Sequence, residues 1–237
     1  MNCRKKCNFL EAKDLSFSLS LDLEDGLYII ATPIGNLEDI SIRALKILAN
    51  VEAIISEDTR ETLKLLSHYK IRKPLFRGDE HSKINYLKLF EKYKKIAFVS
   101  DRGCPNISDP GSIVIKKYLE KYNDYSRIKL IPGATSLEVV SLLPFEGIPF
   151  VFVGFEKDNK KIENFLKNNV NVLLFESCHR INKRINELKK IEYLEKIFVF
   201  HDITKMNEYV KILTNEHDEN LIEKGEYVLF LKSKKDG

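Results

Sequence analysis

Apolar residues along this chain fall into two alternating patterns. Runs at Leu27–Ala31, Ala53–Ser56, Ile96–Ser100 and Ile128–Ile131 have the length and continuity of strands buried on both faces. Between them apolar residues recur every three or four positions: Ile42, Leu45, Leu48 and Ala49, then Leu63, Leu66 and Tyr69. The same periodicity predicts helices over His81–Tyr93 and Ser112–Tyr122, with a weak strand at Leu75–Phe76. Strands that alternate with helices imply parallel pairing and a sheet covered on both faces.

Pro144, Gly147 and Pro149 then interrupt the rhythm. Beyond them Phe150–Phe155, Val172–Phe175, Ile197–Phe200, Tyr209–Leu213 and Glu226–Leu231 read as strands, with helices near Asn159–Lys167 and His179–Lys190. More strand and less helix predicts a mixed sheet. The fold class is α/β, with an N-terminal α/β domain over 27–145 and a C-terminal mixed α/β domain over 146–237. Residues 1–26 form an N-terminal extension in which Phe17, Leu19, Leu21 and Leu23 alternate with Ser18, Ser20 and Asp22, as in one amphipathic strand or a loose tail.

Composition narrows the class. The 237 residues are 43% hydrophobic and 31% charged, values of an ordinary globular protein with a sizeable core. The longest apolar runs, such as Val170–Phe175, are too short to cross a bilayer, and Glu11, Lys13 and Asp14 break up any signal peptide behind Arg4, Lys5 and Lys6. Cys3, Cys7, Cys104 and Cys178 form no Cys-x-x-Cys pair, so a reducing compartment is expected and a metal site is not. The net charge of +4 permits an anionic partner without demanding one.

Candidate chemistry sits where strands end. Segments 32–36, 57–60, 101–111 and 132–136 each follow a strand, and ligands of open parallel sheets bind beyond the carboxyl ends of strands. Any α/β protein needs turns there, so one such loop carries little; three rich in Gly or Pro point to a site lined by backbone groups, suited to a nucleoside. Neither a Walker-type phosphate loop nor a G-x-G-x-x-G fingerprint is present, which argues against a nucleoside triphosphate or a nicotinamide dinucleotide.

Together these loops resemble a known family. Thr32-Pro-Ile-Gly-Asn36 with Leu37-Glu-Asp-Ile40, Glu57-Asp-Thr-Arg60, Val99-Ser-Asp101, Ile107-Ser-Asp-Pro-Gly111, Ile131-Pro-Gly133, Glu176-Ser177, His179-Arg180, Ile203-Thr-Lys205 and Lys224-Gly-Glu226 are similar to segments of the bacterial small-subunit ribosomal RNA 2′-O-ribose cytidine methyltransferases, in the tetrapyrrole-methylase superfamily. The resemblance runs in order from Leu27 to Leu231. It implies two α/β domains with S-adenosylmethionine in the cleft between them, methylation of a decoding-centre cytidine (cytidine-1402) in 16S rRNA, the small ribosomal subunit as partner, a homodimer, and a cytoplasmic location. The chain departs from the family at Arg102, Cys104, Ala134, Thr135, Cys178, His201 and Asp202, and a small helical C-terminal domain that many relatives carry has no counterpart before Gly237.

Transfer of a methyl group to a ribose hydroxyl needs alignment and a proton acceptor. Glu57, Asp101 and Lys205 are the catalytic candidates, with Asp58 read instead as the cap of the helix that follows and Glu57, at a strand end, as the better base. Loop backbones assign cofactor contacts to Pro33, Gly103, Ile107 and Ser136, and the resemblance adds Phe175 and Thr204. RNA contacts are assigned to Arg60 and to Arg180, Lys183 and Arg184, which share a helix face by spacing, with Lys157, Lys160 and Lys161 as a second cluster. Two other readings stay open: a tetrapyrrole C-methyltransferase, and an inactive ribosome-associated RNA-binding module.

Overall fold

The computed structural model describes residues 21–78, 84–108, 112–143, 149–214 and 220–234. The chain divides into two compact units, one built from the chain up to Pro33 and from Leu37–Ala134, the other from Ile34–Asn36 and from Thr135 onward. Pro144 and Gly147, and with them most of the expected domain boundary, lie outside the described residues, as do Phe17, Leu19 and the rest of 1–20.

In the first unit β1 (Gly26–Ile30), β2 (Ala53–Ser56), β3 (Leu75–Arg77), β4 (Lys95–Val99) and β5 (Ile128–Ile131) form a parallel sheet in the order β3-β2-β4-β1-β5. Leu27 stands opposite both Ile96 and Ile128. Alternation sends Tyr28, Ile30, Ile54, Ala97 and Val99 into one core with Leu45, Leu48, Leu65 and Leu66 of α1 (Ile42–Asn50) and α2 (Thr59–His68). Leu27, Ile29, Ile55, Ile96 and Phe98 enter the other, with Phe90 of α3 (Tyr86–Lys92) and Tyr118 of α4 (Ser112–Tyr122). Both faces of β1, β2 and β4 are therefore dry, which is why these strands read as continuous apolar runs, whereas the edge strand β5 leaves Leu130 exposed and is not buried on both faces as its run suggested. Each such side chain contributes roughly 1.5–3 kcal/mol on burial. The helix expected from His81 starts later: residues 79–83 lie outside the described residues, and the Asn85 side chain caps α3 by accepting from Lys88 N.

In the second unit β6 (Phe150–Phe152), β7 (Asn171–Ser177), β8 (Leu194–His201), β9 (Tyr209–Leu213) and β10 (Glu226–Ser233) run in the order β6-β7-β10-β8-β9. Only β6 and β7 pair in parallel, so the sheet is mixed. One face is covered by α5 (Asn159–Lys167) and α6 (Ile181–Leu188), the other by the 3-10 segment Ser136–Leu142, which Val139 anchors to Leu173, Phe198 and Phe230. Among the described residues no helix is long and apolar enough to cross a membrane.

Candidate active site

Because β2, β4, β1 and β5 are parallel neighbours, their carboxyl ends come up side by side. They carry Glu57 and Asp58, Asp101 to Gly103, Thr32 and Pro33, and Gly133. The β1 and β4 ends are stitched together: Thr32 N donates to Gly103 O at 2.8 Å, Gly103 N to Thr32 O at 3.0 Å, and Thr32 Oγ1 to Ser100 O at 3.2 Å. Gly103 takes φ +77°, a conformation open to glycine at little cost. Ile107 is half-buried between Asn106 and Ser108, both in the left-handed region, while Asp109, Pro110 and Gly111 lie outside the described residues.

Two carboxylates in this unit differ sharply. Asp58 caps α2, accepting from Arg60 N, and its Oδ2 lies 2.5 Å from Arg60 Nη2. That guanidinium holds the Asp58 carboxyl at about 2, so Asp58 is a fixed anion and a cap, as the sequence suggested. Burial pushes the Asp101 carboxyl above its ordinary value, even though its Oδ1 accepts the Asp58 N–H at 2.8 Å. Asp101 is thus the stronger proton acceptor of the two. Glu57 is half-buried at the end of β2, and Arg60 extends into solvent with its side chain 86% exposed.

In the second unit the segment Ile34–Asn36 meets the turn Asp202–Lys205. Asn36 N donates to Thr204 Oγ1 at 3.1 Å. The contact requires glycine at position 35, where a Cβ would stand 2.5 Å from Lys205 Cγ and 2.7 Å from Thr204 Oγ1. Asp202 at φ +47° and Thr204 at φ +67° are left-handed without being glycine, a cost of about 1–2 kcal/mol each. Lys205 Nζ lies 2.8 Å from Asp202 Oδ1 and 2.9 Å from Glu226 Oε2, an arrangement that suits a fixed positive charge rather than a proton acceptor. Ser136 opens the 3-10 segment behind its cap Thr135. Phe175 stands edge-on to Phe152 at 4.9 Å and to Phe155 at 5.5 Å, at the margin of the apolar cluster.

The basic face predicted on α6 is corrected at one position. Arg184 is 5% exposed: its Nη2 donates to Glu156 O at 2.8 Å, its Nη1 to Lys157 O and Asn159 Oδ1, and its Nε lies 3.4 Å from the buried Glu176 carboxylate. Its donors face the interior, where they pin the loop after β6. The signal was present, since Arg184 falls on the apolar stripe of Ile181, Ile185 and Leu188. Arg180 is half-exposed and donates to Glu176 Oε1 at 2.7 Å, while Lys183 is 81% exposed. Sequence reasoning gave no role to Glu176, or to Glu208, whose Oε2 accepts Thr204 N–H at 2.7 Å. No local pattern marks Glu208, because its contact depends on the shape of the turn. Cys104 and Cys178 are half-buried thiols; Cys3 and Cys7 lie outside the described residues.

Comparison with known proteins extends this picture. Residues 26–217 match the tetrapyrrole (corrin/porphyrin) methylases. The chain is 37% identical over 191 residues to the ribosomal RNA small subunit methyltransferase I of Thermotoga maritima, covering 77% of this chain and 85% of that protein. It is 36% identical over 213 residues to the protein of the same name from Mycoplasmopsis pulmonis, covering 85% and 93%. Among solved structures it shares its fold with the uroporphyrin-III C-methyltransferase of Thermus thermophilus complexed with S-adenosyl homocysteine, at a TM-score of 0.59 and 14% identity over 86% of this chain and 91% of that one.

Proposed function

Since the chain belongs to the tetrapyrrole methylase family and, within it, to the ribosomal RNA small subunit methyltransferase I family, we propose that this enzyme methylates the ribose 2′-hydroxyl of cytidine-1402 in small-subunit rRNA, with S-adenosylmethionine as donor. The observation that supports it most is Asp101: a carboxyl with raised proton affinity, held by the Asp58 N–H at the end of a central parallel strand beside the Thr32–Gly103 bridge.

The donor set fits such a cofactor. The strand ends offer backbone groups and the Glu57 carboxylate, which suit a cationic adenosyl ligand better than a phosphate. When bound, S-adenosylmethionine supplies a methyl group made electrophilic by a sulfonium. Of the contacts assigned to it, Pro33, Gly103 and Ile107 belong to the first unit, and Ser136, Phe175 and Thr204 belong to the second. Asp101 accepts the ribose proton, with Glu57 the second candidate; general-base help of this kind is worth roughly 10²–10⁴-fold. Lys205, neutralised by Asp202 and Glu226, orients rather than takes a proton. Arg60, Arg180 and Lys183 remain the RNA contacts, so binding falls steeply with salt. The same proposal places the enzyme with the ribosome in the cytoplasm, on the support of its substrate class, and makes it a homodimer on the resemblance alone.

Labelled methyl transfer to unmodified small subunits, run beside a tetrapyrrole precursor, tests the proposal. Label on the ribosomal RNA alone is expected. Label on the tetrapyrrole alone, or none on either, overturns it.

A further inference from the structure

The turn Asp202–Lys205 carries more strain than its shape requires. Lys205 N donates to Asp202 O at 2.9 Å and closes four residues, with Thr204 in third place at φ +67°. Glycine or asparagine suits such a position, and a β-branched residue there is an outlier. What the threonine adds is a hydroxyl, and that hydroxyl receives the Asn36 N–H. The surroundings over-determine the strained form. Glu208 Oε2 accepts Thr204 N–H at 2.7 Å, and Asp202 Oδ1 accepts both Lys205 Nζ at 2.8 Å and Glu226 N–H at 3.0 Å. Just before the turn, buried His201 stacks on the Tyr209 ring at 4.5 Å, with its Nε2 2.9 Å from Lys224 O. Strain kept in place by its neighbours in this way marks functional segments.

We propose that Glu208 is a positioning residue for methyl transfer, an inference that rests on the function proposed above. Its carboxylate holds Thr204 in the left-handed turn, so that Thr204 Oγ1 fixes the Gly35–Asn36 backbone, the residues that follow the assigned cofactor contact Pro33. Glu208 acts through Thr204 and needs no contact with the reacting atoms. A plain turn residue would matter to stability alone.

A double-mutant cycle on the full chain separates the two roles. Thr204→Gly and Glu208→Ala are made singly and together, and KM for S-adenosylmethionine, kcat and Tm are measured. Thr204→Gly relieves the strain and removes the hydroxyl, so Tm holds or rises while KM increases about tenfold, and Thr204→Ser recovers most of that loss. Glu208→Ala raises KM about fivefold beside Thr204 and has no effect in the T204G background, where no strained residue is left to hold. Equal effects of Glu208→Ala in both backgrounds overturn the proposal, as does an unchanged KM in T204G. Should the wild-type protein transfer no methyl group to small subunits, the functional reading fails by itself; the same cycle, read as S-adenosylmethionine affinity by calorimetry, still decides the role of Glu208. Absence of any cofactor binding by the wild-type protein overturns both.

Discussion

The strand ends of the first unit and the 202–205 turn of the second place chemistry by opposite means. In the first, topology does the placing: parallel neighbours bring Thr32, Glu57, Asp101 and Gly133 to one edge, and the left-handed position beside Thr32 falls on a glycine, Gly103. The tuned group, Asp101, is tuned by burial. In the second, side chains do the placing: Asp202, Glu208 and Glu226 hold a turn whose left-handed positions fall on Asp202 and Thr204. A site made by topology tolerates changes of side chain as long as the sheet stands. A site made by a strained turn depends on each partner.

Four substitutions test that contrast, from the largest effect to the smallest. Asp101→Asn keeps an oxygen for the Asp58 N–H but removes the proton acceptor, so transfer falls roughly 10²–10⁴-fold while cofactor affinity holds. Its stability moves the other way. A carboxyl with a raised value favours the folded state when protonated and costs stability as pH rises through that value, so D101N gains Tm over wild type at neutral pH and loses the gain in acid. Asp58, held near 2, stays ionised across that window and gives the wild-type rate no acid limb there, whereas a limb set by Asp101 lies above the ordinary aspartate value and is lost in D101N. Glu176→Gln removes the buried counter-charge of Arg184 and leaves it only the more exposed Glu187 carboxylate, 3.7 Å from Nη1, which costs about 3 kcal/mol by denaturant unfolding, with Arg180 released as well. Gly35→Ala drives a methyl into Lys205 and Thr204, costing about 1–3 kcal/mol and raising KM for the cofactor. Lys183→Glu leaves folding unchanged and lowers the salt slope of RNA binding by about 1; a slope unchanged in K183E removes Lys183 from the RNA surface.

The same contrast explains what was legible in the sequence. Strands such as Leu27–Ala31 showed as continuous apolar runs because both faces of the first sheet are covered, and the loops after them showed as Gly and Pro. Asp58 showed as a cap because capping is local. Arg184 was misplaced on a solvated face because Arg180, Lys183 and Arg184 form a basic stripe by spacing; its place among Ile181, Ile185 and Leu188 was the better guide, and its partner Glu176 comes from another element. Glu208 stayed hidden because its partner is a backbone N–H four residues back, set by two left-handed residues that no periodicity marks.

Asp101, a half-buried carboxyl at a strand end, is proposed to take the proton from a ribose hydroxyl. The most direct test is single-turnover transfer of labelled methyl to unmodified small subunits by wild-type and D101N protein, with the labelled nucleotide identified after digestion. The label should sit on the 2′-oxygen of one cytidine, with D101N slower by at least about a hundredfold at unchanged cofactor affinity. Equal rates for the two proteins, or a label on the base, would contradict it.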